Sequence, residues 1–234
     1  MALLSVEDID TFYGESHILH DVSLEVERGE IAVLVGRNGV GKTTTLRSIL
    51  GHTPPERGTI TYDGSDITGA EPSDVAQRGI GWVPEERRIL PSLTVEENLQ
   101  LSLRGGNESI ETAYELFPRL EERSQNQGRN LSGGEQQMLA IARGVLGEFD
   151  LLLIDEPTEG LAPMIVEQVV DALTEIFTET TVLLVEQNLN VVRELGDRFY
   201  VMDKGQIVAE TAELDPDSEL VREYLGVSVS ESSA

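Results

Sequence analysis

Two spacings of apolar residues divide the chain. Ile31-Ala-Val-Leu-Val35, Leu151-Leu-Leu-Ile154 and Thr181-Val-Leu-Leu-Val185 are short unbroken apolar runs, each closed by a turn. A strand with one wet face alternates, whereas a strand covered on both faces does not, so these runs predict the buried strands of a parallel sheet. Helical stretches follow them near 42–51, 163–177 and 188–195. Strand–helix–strand order of this kind defines an α/β fold. The first thirty residues keep a two-residue period instead, with Val22, Leu24 and Val26 set against Ser23, Glu25 and Glu27, and Gly58-Thr-Ile-Thr-Tyr62 does the same. These predict antiparallel strands with one solvated face. Residues 87–146 lack a core-strand pattern and show helical spacing in Val95, Leu99 and Leu103 and again in Tyr114, Phe117 and Leu120. They are expected to form a helical insert with loops at Gly105-Gly106-Asn107 and Asn126-Gln127-Gly128. The expected partition is an α/β core with its antiparallel β subdomain over 1–86 and 147–226, a helical subdomain over 87–146, and a frayed tail over 227–234.

Composition narrows the chemistry. The 234 residues allow one large domain or two small ones. The absence of cysteine excludes a disulfide scaffold, a thiolate nucleophile and a Cys-ligated zinc site. His17, His20 and His52 are a poor start for a histidine metal site. A net charge of −26, spread over the whole length, disfavours DNA or RNA as the main partner. Lys42 and Lys204 are the only lysines; every other basic side chain is arginine. Dense acid with scarce lysine resembles the proteins of organisms that keep molar salt in their cytoplasm, where self-repulsion is screened within about 3 Å. An ordinary acidic protein is the alternative. No apolar run reaches 18 residues, so no transmembrane helix is expected. The start lacks a basic stretch and a cleavage site, so no signal peptide is expected. A cytoplasmic protein follows, whose membrane role comes through a partner.

Gly36-Arg37-Asn38-Gly39-Val40-Gly41-Lys42-Thr43 fits G-x-x-x-x-G-K-[ST], and it lies between the predicted strand 31–35 and a helix, which is the context the motif requires. Its glycines let backbone N–H groups converge on phosphate oxygens, and the helix points its positive end at the anion. Lys42 would reach the β and γ phosphates and the Thr43 hydroxyl would ligate Mg²⁺. A compact ammonium suits that task, and the chain keeps a lysine here although its basic residues are otherwise almost all arginine. Asp155 and Glu156 end the strand 151–154, and in a parallel sheet ligands bind at that end. Asp155 would hold Mg²⁺, and Glu156 would polarise the attacking water. Leu131-Ser132-Gly133-Gly134-Glu135 opens another helix with a capping box between Ser132 and Glu135, and its exposed N–H groups would make a second anion site.

With Leu131–Glu135 added to the other motifs, the chain resembles the ABC-transporter ATPase family over about residues 3–225. The resemblance implies a P-loop NTPase fold with a RecA-like core and a mostly parallel sheet, an N-terminal antiparallel β subdomain and an inserted helical subdomain. It implies ATP and Mg²⁺ held over Gly36–Thr44, including Thr44, with Tyr13 stacked on adenine. It also implies that Ser132, Gly133, Gly134 and Glu135 cap the γ-phosphate of a facing cassette, either a sister subunit or a second copy. Glu159-Gly160-Leu161 would cross the dimer interface. Two positions depart from the general pattern. Glu85 stands where a glutamine near Mg²⁺ is usual, and Gln187 stands where a histidine contacts the γ-phosphate; Gln187 can hydrogen-bond but cannot become cationic. The runs Pro84–Leu99, Ser132–Ala140 and Leu184–Asn188 resemble the LivF-like ATPases of branched-chain amino-acid importers, in which both departures are usual. This implies permease subunits, an indirect extracytoplasmic binding protein, a place on the cytoplasmic face of the membrane, and a coupling surface near 87–105 in which Arg87 and Arg88 stand out. Tyr13–Leu19 and Thr158–Gly160 also resemble urea-importer ATPases. A soluble ABC protein of DNA repair or translation, and a regulatory nucleotide switch with little turnover, are the remaining alternatives.

Overall fold

A computed structural model describes residues 2–103, 109–147, 149–176 and 180–226. The expected loop at 105–107 and the expected tail at 227–234 lie outside them. Two sheets organise the molecule. The first joins β1 (Ala2–Tyr13), β2 (Ser16–Glu27), β4 (Arg57–Tyr62) and β5 (Ser65–Asp66), all antiparallel, in the order β2-β1-β4-β5. The second joins β3 (Ile31–Val35), β6 (Ile80–Val83), β7 (Leu151–Asp155), β8 (Thr181–Glu186), β9 (Arg198–Asp203) and β10 (Gln206–Thr211), in the order β10-β9-β3-β8-β7-β6. Every neighbouring pair in it is parallel except β9–β10.

The unbroken apolar runs are explained by cover on both faces. Ala32, Leu34, Leu153 and Leu183 pack with Leu4, Val22, Val26 and Ile60 of the antiparallel sheet and with Leu46 and Ile49 of α1 (Lys42–Ile49). Val33, Val35, Leu152, Ile154 and Leu184 face the opposite way, toward α6 (Gly133–Val145), α7 (Pro163–Ile176) and α8 (Leu189–Leu195). The α1 helix is therefore held between the two sheets. In β2 the alternation holds, with Val22, Leu24 and Val26 buried while Ser23 and Glu25 face solvent.

Short helices fill the stretch between β6 and α6: α3 (Val95–Gln100), α4 (Ile110–Leu116) and α5 (Pro118–Glu122). Val95, Leu99, Phe117 and Leu120 are buried, and Leu103 falls just past the end of α3, half-buried. A capping box at Thr94 and Glu97 starts α3. Among the strands and α-helices, β5, α2 (Pro72–Gln77), β9 and the edge strand β10 were not predicted. Among the described residues no helix is long and apolar enough to cross a membrane.

Candidate functional site

The central strand β3 runs into the loop 36–41 and then α1, so the loop sits at the carboxyl edge of the sheet, flanked by the ends of β8 and β9. Two glycines make the turn possible. Gly41, the residue before α1, has φ 118°, and a Cβ there would meet Leu19 Cδ2 at 2.8 Å. Gly36 has no room either, since a Cβ would lie 2.5 Å from the Met202 carbonyl oxygen. The loop is tied down behind by the Gly205 N–H, which donates to the Val40 carbonyl at 2.8 Å.

Lys42 is buried, its side chain only 3% exposed. Its ammonium donates to the carbonyls of Gly36 (2.8 Å) and Arg37 (3.0 Å) and pairs with Glu156 Oε1 at 2.9 Å. One residue along, the Thr43 hydroxyl donates to Asp155 Oδ1 at 3.2 Å. Parallel pairing of β3 with β8 and of β8 with β7 brings these residues together from distant parts of the chain. Burial pushes Asp155 up to about 6 against the pull of the Thr43 hydroxyl, and the charges of Glu156 and Glu85 push it the same way. Burial also raises Glu156, opposed by the Lys42 ammonium. Glu156 takes a left-handed backbone, φ 46°, pinned by its N–H to the Val185 carbonyl at 2.8 Å.

The oxygens of Thr43 and Asp155, already in contact, suit a hard cation such as Mg²⁺, which commonly takes one or two protein oxygens and completes its shell with water and phosphate. Glu85 is exposed and touches this pair only through its field. Among the described residues no three His, Cys, Asp or Glu side chains form a ready cation cage.

A cavity of about 240 Å³ opens beside Glu156, lined also by Asn38, Thr158, Glu159 and Gln187. Gln187 is exposed at its edge. Tyr13 is 43% exposed at the end of β1, with its hydroxyl on Thr53. Burial alone would raise the Tyr13 phenol, but hydrogen bonds with Thr53, Arg47 and Thr44 outweigh it and hold the pKa below its ordinary value. Tyr13 thus stands against α1, next to Thr44, which is itself buried.

The stretch 132–135 lies elsewhere. Ser132 and Gly133 are exposed at the start of α6. The capping box is complete, with Glu135 N–H donating to the Ser132 hydroxyl at 3.3 Å and Ser132 N–H donating to Glu135 Oε2 at 2.8 Å. Burial would raise Glu135, but those bonds and the Arg119 and Arg123 guanidiniums hold its carboxyl low. Among the described residues no hydrogen bond or ion pair joins 132–135 to 36–44.

A glycine-rich loop at the carboxyl edge of a parallel sheet, with a buried lysine answered by acidic side chains that follow a neighbouring strand, is the arrangement of a P-loop nucleoside triphosphatase. Residues 19–159 match the family described as ABC transporter. The chain belongs to that family and is one of its ATP-binding cassettes, an ATPase. It is similar to the high-affinity branched-chain amino acid transport ATP-binding protein BraG of Pseudomonas aeruginosa, 43% identical over 215 residues that cover 88% of this chain and 91% of BraG. The probable branched-chain amino acid transport ATP-binding protein LivF of Archaeoglobus fulgidus is 33% identical over 212 residues, covering 88% and 90%. A dimeric ATP-binding cassette in a post-hydrolysis state, bound to ADP and Pi, superposes with a TM-score of 0.77 at 26% identity over 89% of this chain and 98% of that one.

The pairing of Lys42 with Glu156 is not carried by the sequence, in which the motif of one residue points to phosphate and that of the other to water. Glu186 was missed altogether. Its signal was a carboxylate following the unbroken apolar run at 181–185.

Proposed function

We propose that the chain is the ATP-hydrolysing subunit of an importer of branched-chain amino acids. It would act on the cytoplasmic face of the membrane, paired with a second cassette and bound to permease subunits that a separate binding protein supplies. The likeness to BraG and LivF supports the cargo class. The observation that carries the reaction is the Lys42 ammonium, held at one point between two loop carbonyls and the Glu156 carboxylate. The phosphate tail of ATP would take the ammonium, and Glu156, relieved of its partner, would orient water in line with the γ-phosphate. Thr43 and Asp155, with Glu85 nearby, would hold Mg²⁺, which supplies charge neutralisation of the phosphate oxygens when bound. Tyr13 would stack on the base, Gln187 would hydrogen-bond the γ-phosphate, and Ser132–Glu135 would close on nucleotide held by the facing cassette.

A groove of about 340 Å³ between β6 and α6 is lined by Trp82, Arg87, Arg88, Leu101 and Arg143. Leu101 is 63% exposed, and Arg88 lies over the Trp82 ring at 4.5 Å. Within the surface proposed for permease contact, this groove concentrates cations in an otherwise acidic chain. The charge of −26 supports a cytoplasm of molar salt as the working medium.

The test is phosphate release in molar KCl by the wild type and Glu156→Gln, followed by leucine and urea uptake into vesicles carrying the permease, the partner cassette and the binding protein. Glu156→Gln lowers kcat by roughly 10²–10⁴-fold while ATP still binds. Wild-type turnover in that variant overturns the assignment of Glu156, and uptake of urea in place of leucine overturns the cargo.

A further inference from the structure

Glu186 ends β8 with 3% of its surface exposed, and nothing above gives it a task. Its Oε1 accepts from the Thr158 backbone N–H at 3.2 Å and from the Thr158 hydroxyl. Its Oε2 accepts from the Gln187 N–H at 2.6 Å and the Asn188 N–H at 2.8 Å. A carboxylate is costly to bury unless its oxygens are filled, and four donors on two oxygens fill this one.

The donors come from two loops. Thr158 belongs to the loop that leaves β7 just after Glu156, while Gln187 and Asn188 belong to the loop that leaves β8. Both loops line the cavity beside Glu156. Each is also anchored on its far side. Glu159 N–H returns to the Glu156 carbonyl, and the Asn188 side chain accepts from Asn190 N–H at the start of α8. The left-handed backbone of Glu156 costs free energy and persists only where its surroundings hold it.

We propose that Glu186 is a positioning residue for ATP hydrolysis. Its carboxylate clamps the loop 157–161 to the loop 187–188, and so fixes the spacing between the Glu156 carboxylate and the Gln187 side chain across the attacking water. The proposal rests on the hydrolytic reading of Glu156 given above. The distinction from a filler of the core lies in the chemistry: a filler at this depth needs no charge, whereas a clamp needs two acceptor oxygens facing two ways.

The variants are Thr158→Val, which keeps shape and loses the hydroxyl donor, Thr158→Ser, which keeps the donor, and Glu186→Gln, which turns an NH₂ against the N–H donors of one loop. The full chain, together with its partner cassette and permease, is assayed in molar KCl for ATP hydrolysis and for affinity toward a fluorescent ATP analogue. Thr158→Val and Glu186→Gln lower kcat by roughly 10- to 100-fold, with KM and nucleotide affinity within about twofold of wild type. Thr158→Ser stays within about twofold of wild type, and the double variant Glu186→Gln with Thr158→Val is no slower than Glu186→Gln alone, because both cut the same clamp. Unchanged kcat in Thr158→Val overturns the proposal, as does a loss in Thr158→Ser equal to that in Thr158→Val, or a parallel fall of kcat and affinity. If Glu186→Gln does not fold, the Thr158 pair decides. A wild type without phosphate release overturns the hydrolytic reading itself. An active wild type, an inactive Glu156→Gln and an unaffected Thr158→Val together overturn only the clamp.

Discussion

Tyr62 carries its hydroxyl into the space between the two sheets, where, among the described residues, it meets no hydrogen-bond partner. Burial pushes its phenol up to about 12, with the Asp150 charge acting in the same direction. A buried hydroxyl without a partner costs about 1–3 kcal/mol relative to a made bond. Tyr62→Phe removes that cost and leaves the ring packing intact, so it is expected to stabilise the chain by about 1 kcal/mol, or roughly 2–4 °C in Tm. The sign with pH follows from linkage. The native pKa is above the unfolded one, so the neutral phenol favours the fold below about pH 10, and that contribution is lost as pH rises from about 10 toward the native value. Thermal unfolding between pH 8 and pH 11 checks both points. A less stable Phe variant, or an alkaline loss of equal steepness in both proteins, would count against the unpaired hydroxyl.

The α6 helix opens on a capping box at the end proposed above to face the second cassette. Ser132 and Glu135 satisfy each other's backbone N–H groups, and the same turn leaves Gly133 exposed. Ser132→Ala removes one capping acceptor and is expected to cost about 1 kcal/mol in a denaturant melt. A change within error would mean that the packing of Met138, Leu139 and Ile141 alone holds the helix. This helix, the three buried parallel strands and the alternating β2 were legible in the sequence because the pattern that forms each of them is local. The strands β9 and β10 were not. Arg198-Phe-Tyr-Val-Met-Asp203 is closed by charges at both ends, and β10 lies at the edge of the sheet with its residues at most half-buried. The helix α2 buries only Val75, too little for a period to register. Within the site, the glycine loop and the Asp155-Glu156 pair were legible for the same local reason. The Lys42–Glu156 pair and the ring of donors around Glu186 depend on which strands lie side by side, and sequence spacing does not carry that information.

At the scale of the whole molecule, about half of the arginines pair with acids among the described residues, as Arg28 does with Asp63, Arg119 with Glu122 and Glu135, and Arg198 with Glu30 and Glu210. The remaining acids still leave −26. Exposed pairs of this kind contribute little each, so the net repulsion is governed by the medium. The Debye length is about 10 Å at 0.1 M salt and about 3 Å at 1 M. Raising KCl from 0.1 M to molar concentrations is therefore expected to lift Tm by on the order of 10 °C or more, with phosphate release recovering in parallel. Equal melting at both salt concentrations would remove the molar-salt cytoplasm from the account. The Lys42 ammonium proposed above to grip phosphate is the one that pairs with the Glu156 carboxylate, so carboxylate and phosphate would compete for one cation. An incoming triphosphate would have to displace this internal rival. Glu156→Gln removes the rival, so a non-hydrolysable ATP analogue is expected to bind that variant roughly three- to tenfold more tightly in calorimetry. On the roles proposed above, the side chain that competes with the triphosphate for Lys42 is also the one that would orient the attacking water.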